Sequence, residues 1–445
     1  MAWLENPHTV LASAVAGLLL AACSTTGDEA ALSKLSEEDD GLSSAPPPPE
    51  NGPKLGSIAN LTPIRERPRA ASAEIGYLHA GARIARSNEP VKKTKQCPNG
   101  YFSVFPRGFV CLDQGATLDL RHPTLTAMAI QPSLDQPLPY TYARTRAETP
   151  LLERDLAHAD AVQETRRLPK GTGIAVVGSW TARISGGEPE RLGLLVNGRF
   201  VKAEDLSAAT PSSFEGHADR EQPLRVAFVV KRGVRSWRLG ELPEKRELLD
   251  YHTRLPLTGR NKVIDGVKYF EAGEALWVRH QDVTSPVMRF QFPDFVRDDV
   301  RWIDVSVMTG LVVLYEGKRP VFVTVGSVGR DRLGDPSVVD HPQAVSKLGT
   351  FEVVAKHITH IAAEPERAGE RFPVFDLPWV LELSSGQLVY GAYVHDRFGI
   401  EYGPGDITLS PADARRVFEF ATPALPAGWH GVRAQGPKTF VVVRK

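Results

Sequence analysis

The chain is long and electrically neutral, which restricts both its domain organisation and its partners. Its 445 residues are enough for roughly two to four domains, each with a buried core. The composition, 42% hydrophobic and 24% charged, is that of a soluble globular protein. Lys plus Arg and Asp plus Glu both number 53. Because binding to phosphates favours a basic excess, this balance argues against nucleic acid as a partner.

The first 23 residues predict export. Val10 to Ala22 form an apolar stretch of signal-peptide length, although Met1 to Thr9 lack Lys and Arg. The stretch ends in Leu-Ala-Ala-Cys, which is similar to a lipobox, where cleavage leaves a diacylated Cys23 at the new terminus. Two acyl chains hold a protein stably on a membrane, and Ser24 favours the outer membrane. We therefore expect a lipid-anchored envelope protein on the periplasmic face of the outer membrane; a cleaved signal with an incidental cysteine is the alternative.

Residues 24–70 are predicted to be a disordered tether. They contain an acidic run, Glu37 to Asp40, and a proline block, Pro46 to Pro49, with little apolar periodicity. Such a segment cannot bury enough apolar surface to fold. It would carry an anchored domain away from the membrane.

The two remaining cysteines, Cys97 and Cys111, form an even pair. In an exported protein such a pair favours a disulfide. Two buried free thiols are the alternative.

Short strands between Gly, Pro and Asn predict a β module over residues 71–120. One pattern recurs: Phe200-Val201 precedes Asp205 at the same offset at which Trp277-Val278 precedes Asp282. Asn-Gly and Asp-Gly hairpin signals accompany these two copies. The units resemble bacterial SH3-like barrels, so residues 135–298 are predicted to be all-β, as two such modules or as one continuous domain. Aromatic residues at strand spacing favour core positions over a ligand groove: Tyr101, Phe102, Phe105, Tyr269, Phe270 and Trp277.

A C-terminal domain is predicted over residues 301–445. Three alternating or apolar runs predict strands, from Trp302 to Val307, Leu311 to Gly317 and Pro320 to Ser327. Ser410-Pro411-Ala412-Asp413 then combines an N-cap, a proline at the first helical position and a capping-box carboxylate. Ala414, Val417, Phe418 and Ala421 follow on one helical face.

The stretch from Leu388 to Ser410 carries the clearest motif. It resembles the active-site segment of the L,D-transpeptidases (YkuD-type catalytic domains), which reads roughly His-Gly-x-x-Trp-His-x-x-Phe-Gly-x-x-x-Ser-His-Gly-Cys-Val-Asn-Leu-Ser. Several positions match in register: Gly391, His395, Phe398, Gly399, Gly405, Leu409 and Ser410. The resemblance covers about residues 302–430. The predicted fold is therefore mainly β, with a YkuD-like domain and its short helix at the C-terminus, preceded by SH3-like modules.

The residues that carry the family's reaction are replaced. Asp406 stands at the cysteine position, Pro404 and Tyr390 stand at two histidine positions, and Thr408 stands at the asparagine position. The family's thiolate attacks an amide of a peptidoglycan stem peptide and forms a thioester, a step for which a carboxylate is a weak nucleophile. The resemblance therefore predicts an inactive member that binds stem peptides or scaffolds cell-wall enzymes, without a cofactor.

Two sets of residues leave other chemistry open. Asp406, Glu401 and Asp396 could form an acid/base set with the retained His395, making the chain an altered transpeptidase or hydrolase; a structural role for His395 is the favoured alternative. His357 and His360, with His341 upstream, invite a metal site. Because no Cys or His-Glu-x-x-His pattern accompanies them, surface or strand-edge histidines are preferred and no metal is expected.

Overall fold

A computed structural model describes residues 46–155, 158, 161–219, 221–329, 346–361, 374–400, 402 and 405–445. Its described part is mainly β, as predicted, with 31 strands and two α-helices. The N-terminal strands are β1 (Lys54–Ser57), β2 (Thr62–Arg65), β3 (Glu74–Leu78), β4 (Arg83–Ala85), β5 (Lys92–Thr94), β6 (Cys97–Ser103), β7 (Phe109–Cys111) and β8 (Ala116–Thr117), followed by α1 (Pro123–Ala127). No helix among the described residues is long and apolar enough to cross a membrane.

The middle region contains a seven-stranded sheet in the order β11-β10-β14-β13-β12-β9-β15. An extra pairing of β11 with β12 closes five of these strands into a ring. The strands are β9 (Thr141–Thr145), β10 (Thr149–Arg154), β11 (Ala161–Leu168), β12 (Gly173–Ile184), β13 (Pro189–Leu195), β14 (Phe200–Lys202) and β15 (Leu206–Ala208).

Two further sheets complete the middle region: β16 with β19, and a five-stranded sheet in the order β18-β17-β22-β21-β20. Asp265 and Gly266 both have positive φ, of 51° and 76°, as a two-residue hairpin turn requires. The strands are β16 (Val226–Phe228), β17 (Arg235–Leu239), β18 (Pro243–Leu248), β19 (Arg254–Pro256), β20 (Asn261–Ile264), β21 (Val267–Glu271) and β22 (Trp277–Arg279). The SH3-like character of both middle units stays a prediction.

The recurrence in the sequence corresponds to a repeated local structure. A 3₁₀ turn at Ala203–Asp205 follows β14, and another at His280–Asp282 follows β22. The aromatic residues of these units lie mostly in cores, as predicted: Tyr101, Phe102, Tyr269 and Trp277 are at most 6% exposed. Phe105 and Phe270 are partly exposed.

The C-terminal strands belong to a 14-stranded sheet that also contains N-terminal strands. Its main path runs β25-β24-β23-β31-β26-β30-β3-β2-β7-β6-β5, and β27, β28 and β29 branch from β26. The elements are β23 (Arg301–Ser306), β24 (Leu311–Glu316), β25 (Arg319–Val325), β26 (Gly349–Ile361), β27 (Asp376–Leu383), β28 (Leu388–Gly391), β29 (Ile407–Leu409), α2 (Pro411–Phe420), β30 (Gly431–Arg433) and β31 (Phe440–Arg444).

Two predicted boundaries need correction. The tether was predicted to continue to residue 70, but β1 and β2 lie inside it, because Leu55 and Ile64 are fully buried in an apolar cluster. Residues 71–120 do not form a sheet of their own, because β3 pairs with β30, opposing Gly76 to Val432 and Tyr77 to Gly431. The predicted signal peptide and residues 24–45 lie outside the described residues.

The β3–β30 junction depends on two close glycines. A Cβ on Gly431 would lie 2.2 Å from the Tyr77 ring, and one on Gly76 would lie 2.4 Å from the Trp429 ring. Both aromatic rings are buried. The absence of a side chain therefore allows the rings to close the junction.

We expect Gly431→Ala to lower the free energy of unfolding by about 1–3 kcal/mol, because overpacking a buried contact forces the neighbouring ring to move. Urea denaturation would measure this effect. Gly240→Ala is the control, since a Cβ there meets its nearest atom only at 4.0 Å. Equal stability of the two variants would contradict the described junction.

Candidate functional site

The motif segment is built from β28, β29 and the N-terminus of α2. The two strands are parallel, opposing Val389 to Ile407 and Gly391 to Leu409. The predicted N-cap and first-turn proline are confirmed: the Ser410 hydroxyl accepts the backbone N–H of Asp413 at 3.2 Å, and Pro411 occupies the first turn. The predicted apolar face of α2 is buried.

The carboxylate of Asp413 also ties other elements to this helix. It accepts the backbone N–H of Gly216 at 2.9 Å and a hydrogen bond from the hydroxyl of Thr324. Burial raises the pKa of Asp413 to about 6. The helix N-terminus is therefore fixed to the connector before β16 and to β25.

Asp406 lies buried at the start of β29, with 6% of its surface exposed. Its Oδ1 accepts the backbone N–H of Leu388 at 2.9 Å, which joins the beginnings of the two parallel strands. The neighbouring carbonyl of Gly405 accepts hydrogen bonds from Gln387 Nε2 and Ser346 Oγ, both at 2.8 Å. A carboxylate held by a backbone N–H in this way acts as a strand tie and is poorly placed for attack on a substrate.

His395 lies in the loop after β28 and is partly exposed. Its Nδ1 accepts the backbone N–H of Arg397 at 3.2 Å, and its Nε2 lies 3.5 Å from the Thr408 hydroxyl. We assign the ring hydrogen to Nε2, since Nδ1 is used as an acceptor. Burial, with a smaller effect of Arg397, lowers the pKa of His395 to about 4, while Asp396 acts in the opposite direction. The ring is therefore neutral at physiological pH and has no free lone pair for a base.

Aromatic rings flank this histidine. The Tyr402 ring lies 4.5 Å from the His395 ring, and the Phe398 ring lies 5.4 Å from it. Both aromatic groups come from the motif segment itself. They fix the imidazole orientation from within the loop.

No hydrogen bond joins the described members of the predicted acid/base set, although Asp396 acts to raise the pKa of His395. Among the described residues, Asp406 and His395 share no hydrogen bond, and Asp396 is exposed. Tyr390 is 4% exposed and belongs to an apolar cluster. Glu401 and Pro404 lie outside the described residues.

Sequence reasoning missed the neighbour of His395. Thr408 supplies the nearby hydroxyl, but it is 2% exposed and its backbone N–H and C=O both bond to Ser327. A substrate cannot approach such a group. The alternation Ile407-Thr408-Leu409 was the available signal, because it places the threonine side chain on the opposite strand face from its neighbours.

A cleft of about 1620 Å³ opens beside His395. Four parts of the chain line it: the seven-stranded sheet with its turns, the connector from Thr210 to Glu215, Arg232 with the loop from Asp250 to Arg254, and the motif segment from Tyr393 to Asp396. Its lining includes five cationic side chains, Arg144, Arg146, Lys170, Arg232 and Arg254. Asp406 is not part of the lining. Local sequence patterns could not predict this site, because its walls lie up to 252 positions apart, from residue 144 to residue 396.

The loop at the cleft floor is bonded to the motif segment. The Tyr251 hydroxyl donates to the carbonyl of Phe398 at 3.0 Å, and His252 Nε2 lies 3.4 Å from the same oxygen. Burial raises the pKa of Tyr251 to about 12 and lowers that of His252. Both side chains are therefore neutral at physiological pH.

The two cysteines of the described residues are bonded to each other. Cys97 and Cys111 are joined by a disulfide, with their Cα atoms 6.0 Å apart. Within the described ranges, the single grouping with metal-ligand spacing is this pair with Asp113, and disulfide sulfurs are not thiolate ligands. Cys23 and His341 lie outside the described residues.

The prediction of surface histidines is wrong for His357, which is 5% exposed. Its Nδ1 lies 2.8 Å from the Tyr77 hydroxyl, and its Nε2 lies 3.4 Å from a Glu382 oxygen. His79 and His430, both 3% exposed, lie nearby in a T-shaped contact with ring centres 5.1 Å apart. β3, β26 and β30 bring these histidines together, a pairing of distant strands that local spacing did not indicate.

Comparisons with known proteins give only distant similarity. No protein-family model and no curated protein matches the chain. Solved structures that match include an L,D-transpeptidase from Stackebrandtia nassauensis, with 15% sequence identity and a TM-score of 0.23 over 35% of this chain and 60% of that one. Another is an L,D-transpeptidase from Mycobacterium smegmatis, with 13% identity and a TM-score of 0.24 over 54% of this chain and 89% of that one. The chain thus spans about 60% of the first of these. Similarity this low transfers neither a fold nor a reaction.

We expect Asp406→Ala to lower the free energy of unfolding by about 1–3 kcal/mol, because the Leu388 N–H loses its acceptor in a buried place. Asp406→Asn should cost less, since its amide oxygen can still accept that hydrogen bond. Thermal or urea unfolding of both variants would test this order. If the alanine variant is as stable as the natural chain, the carboxylate does not tie β28 to β29.

We also expect acid to destabilise the protein through His430. Burial lowers its pKa well below the ordinary value, and neither ring nitrogen has a hydrogen-bond partner among the described residues. The unfolded chain takes up this proton near pH 6.5, so the stability contribution is complete above that pH and is lost as the pH falls below it.

The test compares free energies of unfolding at pH 7 and pH 5.5 in the natural chain and in His430→Leu. Between these two pH values, the free energy of unfolding of the natural chain should fall by about 1 kcal/mol more than that of the variant. This difference corresponds to one extra proton bound by the unfolded state over about one pH unit. Buried Asp376 and Asp413 have raised pKa values and act in the opposite sense, but they are present in both proteins. His280→Leu, at an exposed position, is the control; parallel pH profiles for all three would contradict the assignment.

Proposed function

We propose that this chain is a lipid-anchored envelope protein with a degenerate L,D-transpeptidase domain that binds peptidoglycan and does not catalyse cross-linking. The observation that carries this proposal is the hydrogen bond between the Asp406 carboxylate and the Leu388 N–H. Residue 406, which stands at the position of the family's nucleophile, thereby holds β28 and β29 together. Scaffolding of active cell-wall enzymes is the alternative use of the same domain.

The state of His395 supports the absence of catalysis. An imidazole that accepts a backbone N–H through Nδ1 and carries its hydrogen on Nε2 is poorly placed to take a proton from a nucleophile. No cysteine within the described residues is free, since Cys97 and Cys111 are bonded to each other. Loss of a nucleophile and base pair costs on the order of 10⁶-fold in turnover in well-studied hydrolases.

The cleft supports a binding role. It remains open beside the motif segment and is larger than the pockets of roughly 300–1000 Å³ that hold small molecules. Polar and charged groups line much of it. Binding contacts of this kind do not require the lost nucleophile. His395 also lies on the cleft wall, a position that favours the second candidate, an altered transpeptidase or hydrolase that uses Asp406 and His395.

Incubation of the purified chain, without residues 1–23, with a disaccharide-tetrapeptide separates the two candidates. We expect no release of D-alanine above the buffer rate, because neither Asp406 nor His395 is available for acyl transfer. Released D-alanine can be followed with a D-amino-acid oxidase assay. Release that Asp406→Asn or His395→Ala abolishes, while Lys93→Glu leaves it intact, would establish the enzyme.

Binding itself needs a separate measurement. The same chain should sediment with purified sacculi and stay in solution without them. The complete chain is required because the C-terminal sheet continues into β3. If the chain stays in the supernatant with sacculi, the binding proposal fails and scaffolding becomes the better function.

A further inference from the structure

All five cationic side chains of the cleft come from outside the predicted C-terminal domain, residues 301–445. Arg144 lies in β9 and Arg146 directly follows it, and Lys170 lies in the turn before β12. Arg232 lies between β16 and β17, and Arg254 begins β19. A protein with no net charge has thus concentrated five cations on one concave surface. Low-dielectric walls focus the field of such a group and raise the local concentration of anions.

Three of these cations are available to a ligand. Arg146, Lys170 and Arg232 are exposed and form no ion pair with any described residue. The Arg232 guanidinium lies 5.6 Å from the centre of the Tyr251 ring, a cation–π contact that keeps it at the cleft. Arg254, in contrast, donates a hydrogen bond to the Gly216 carbonyl at 2.6 Å, so its guanidinium is already engaged within the wall of the cleft.

The cleft also contains acidic groups. Glu215, Asp250 and Asp396 line it, and all three are exposed. A uniformly anionic polymer, such as a polyphosphate, would meet repulsion from these carboxylates. A ligand that carries amines as well as an excess of carboxylates complements both sets.

We propose that the cleft binds an amphoteric oligopeptide whose carboxylates pair with Arg146, Lys170 and Arg232 and whose amine pairs with the cleft carboxylates. The volume of about 1620 Å³ accommodates a ligand of several residues, whereas a single amino acid would leave most of it unfilled. Charge-assisted hydrogen bonds from guanidinium and ammonium groups supply the recognition. The inference deepens the proposed function, since it names the ligand chemistry of the same cleft.

The test uses isothermal titration calorimetry with the chain lacking residues 1–23. The probe is a synthetic pentapeptide of three glutamates, one lysine and one alanine, which is unrelated to the wall. Arg146→Glu/Lys170→Glu should weaken binding at least tenfold. The control, Lys93→Glu/Arg238→Glu, reverses one lysine and one arginine at exposed positions outside the cleft and should bind as the natural chain does.

Four further readouts complete the test. Affinity should fall as NaCl rises from 20 to about 200 mM, because exposed charges are screened over about 10 Å at 0.1 M salt. A peptide with amidated carboxylates should bind at least tenfold more weakly. Tighter binding of tripolyphosphate than of the peptide, or equal affinities of both double variants, would overturn the inference. Sacculus binding that persists in Arg146→Glu/Lys170→Glu would overturn this inference alone and leave the proposed function intact.

Discussion

The hydrogen bond from the Leu388 N–H to the Asp406 carboxylate is the constraint on which the account of this site depends. It fixes the beginnings of two short parallel strands, β28 and β29. Parallel pairing is somewhat weaker per residue than antiparallel pairing. A buried carboxylate at this junction therefore stabilises the strands that support both the His395 loop and α2.

That bond has a chemical consequence. A carboxylate whose oxygen is held by a backbone N–H is a poorer nucleophile than one exposed to substrate. Its burial also keeps it away from the cleft, whose lining comes instead from His395, Asp396 and distant parts of the chain. The residue that ties the two strands and the residues that line the cleft are therefore different.

Local sequence signals predicted local structure well. The Ser410-Pro411-Asp413 signature predicted the start of α2, and Asp265-Gly266 predicted a hairpin, because each depends on backbone geometry within a few residues. The joining of β3 to β30 and the burial of His357 could not be predicted in this way. They depend on contacts across about 280 to 355 positions, which periodicity does not encode. The cleft was missed for the same reason.

Thiol accessibility at position 406 tests the central claim most directly. In the folded chain without residues 1–23, the thiol of Asp406→Cys should react with a thiol reagent only as fast as the protein opens. Ser213→Cys, at an exposed cleft position, should react within seconds and gives the reference rate. Equal rates for the two variants, with native circular dichroism spectra for both, would show that position 406 faces the cleft and would contradict the account.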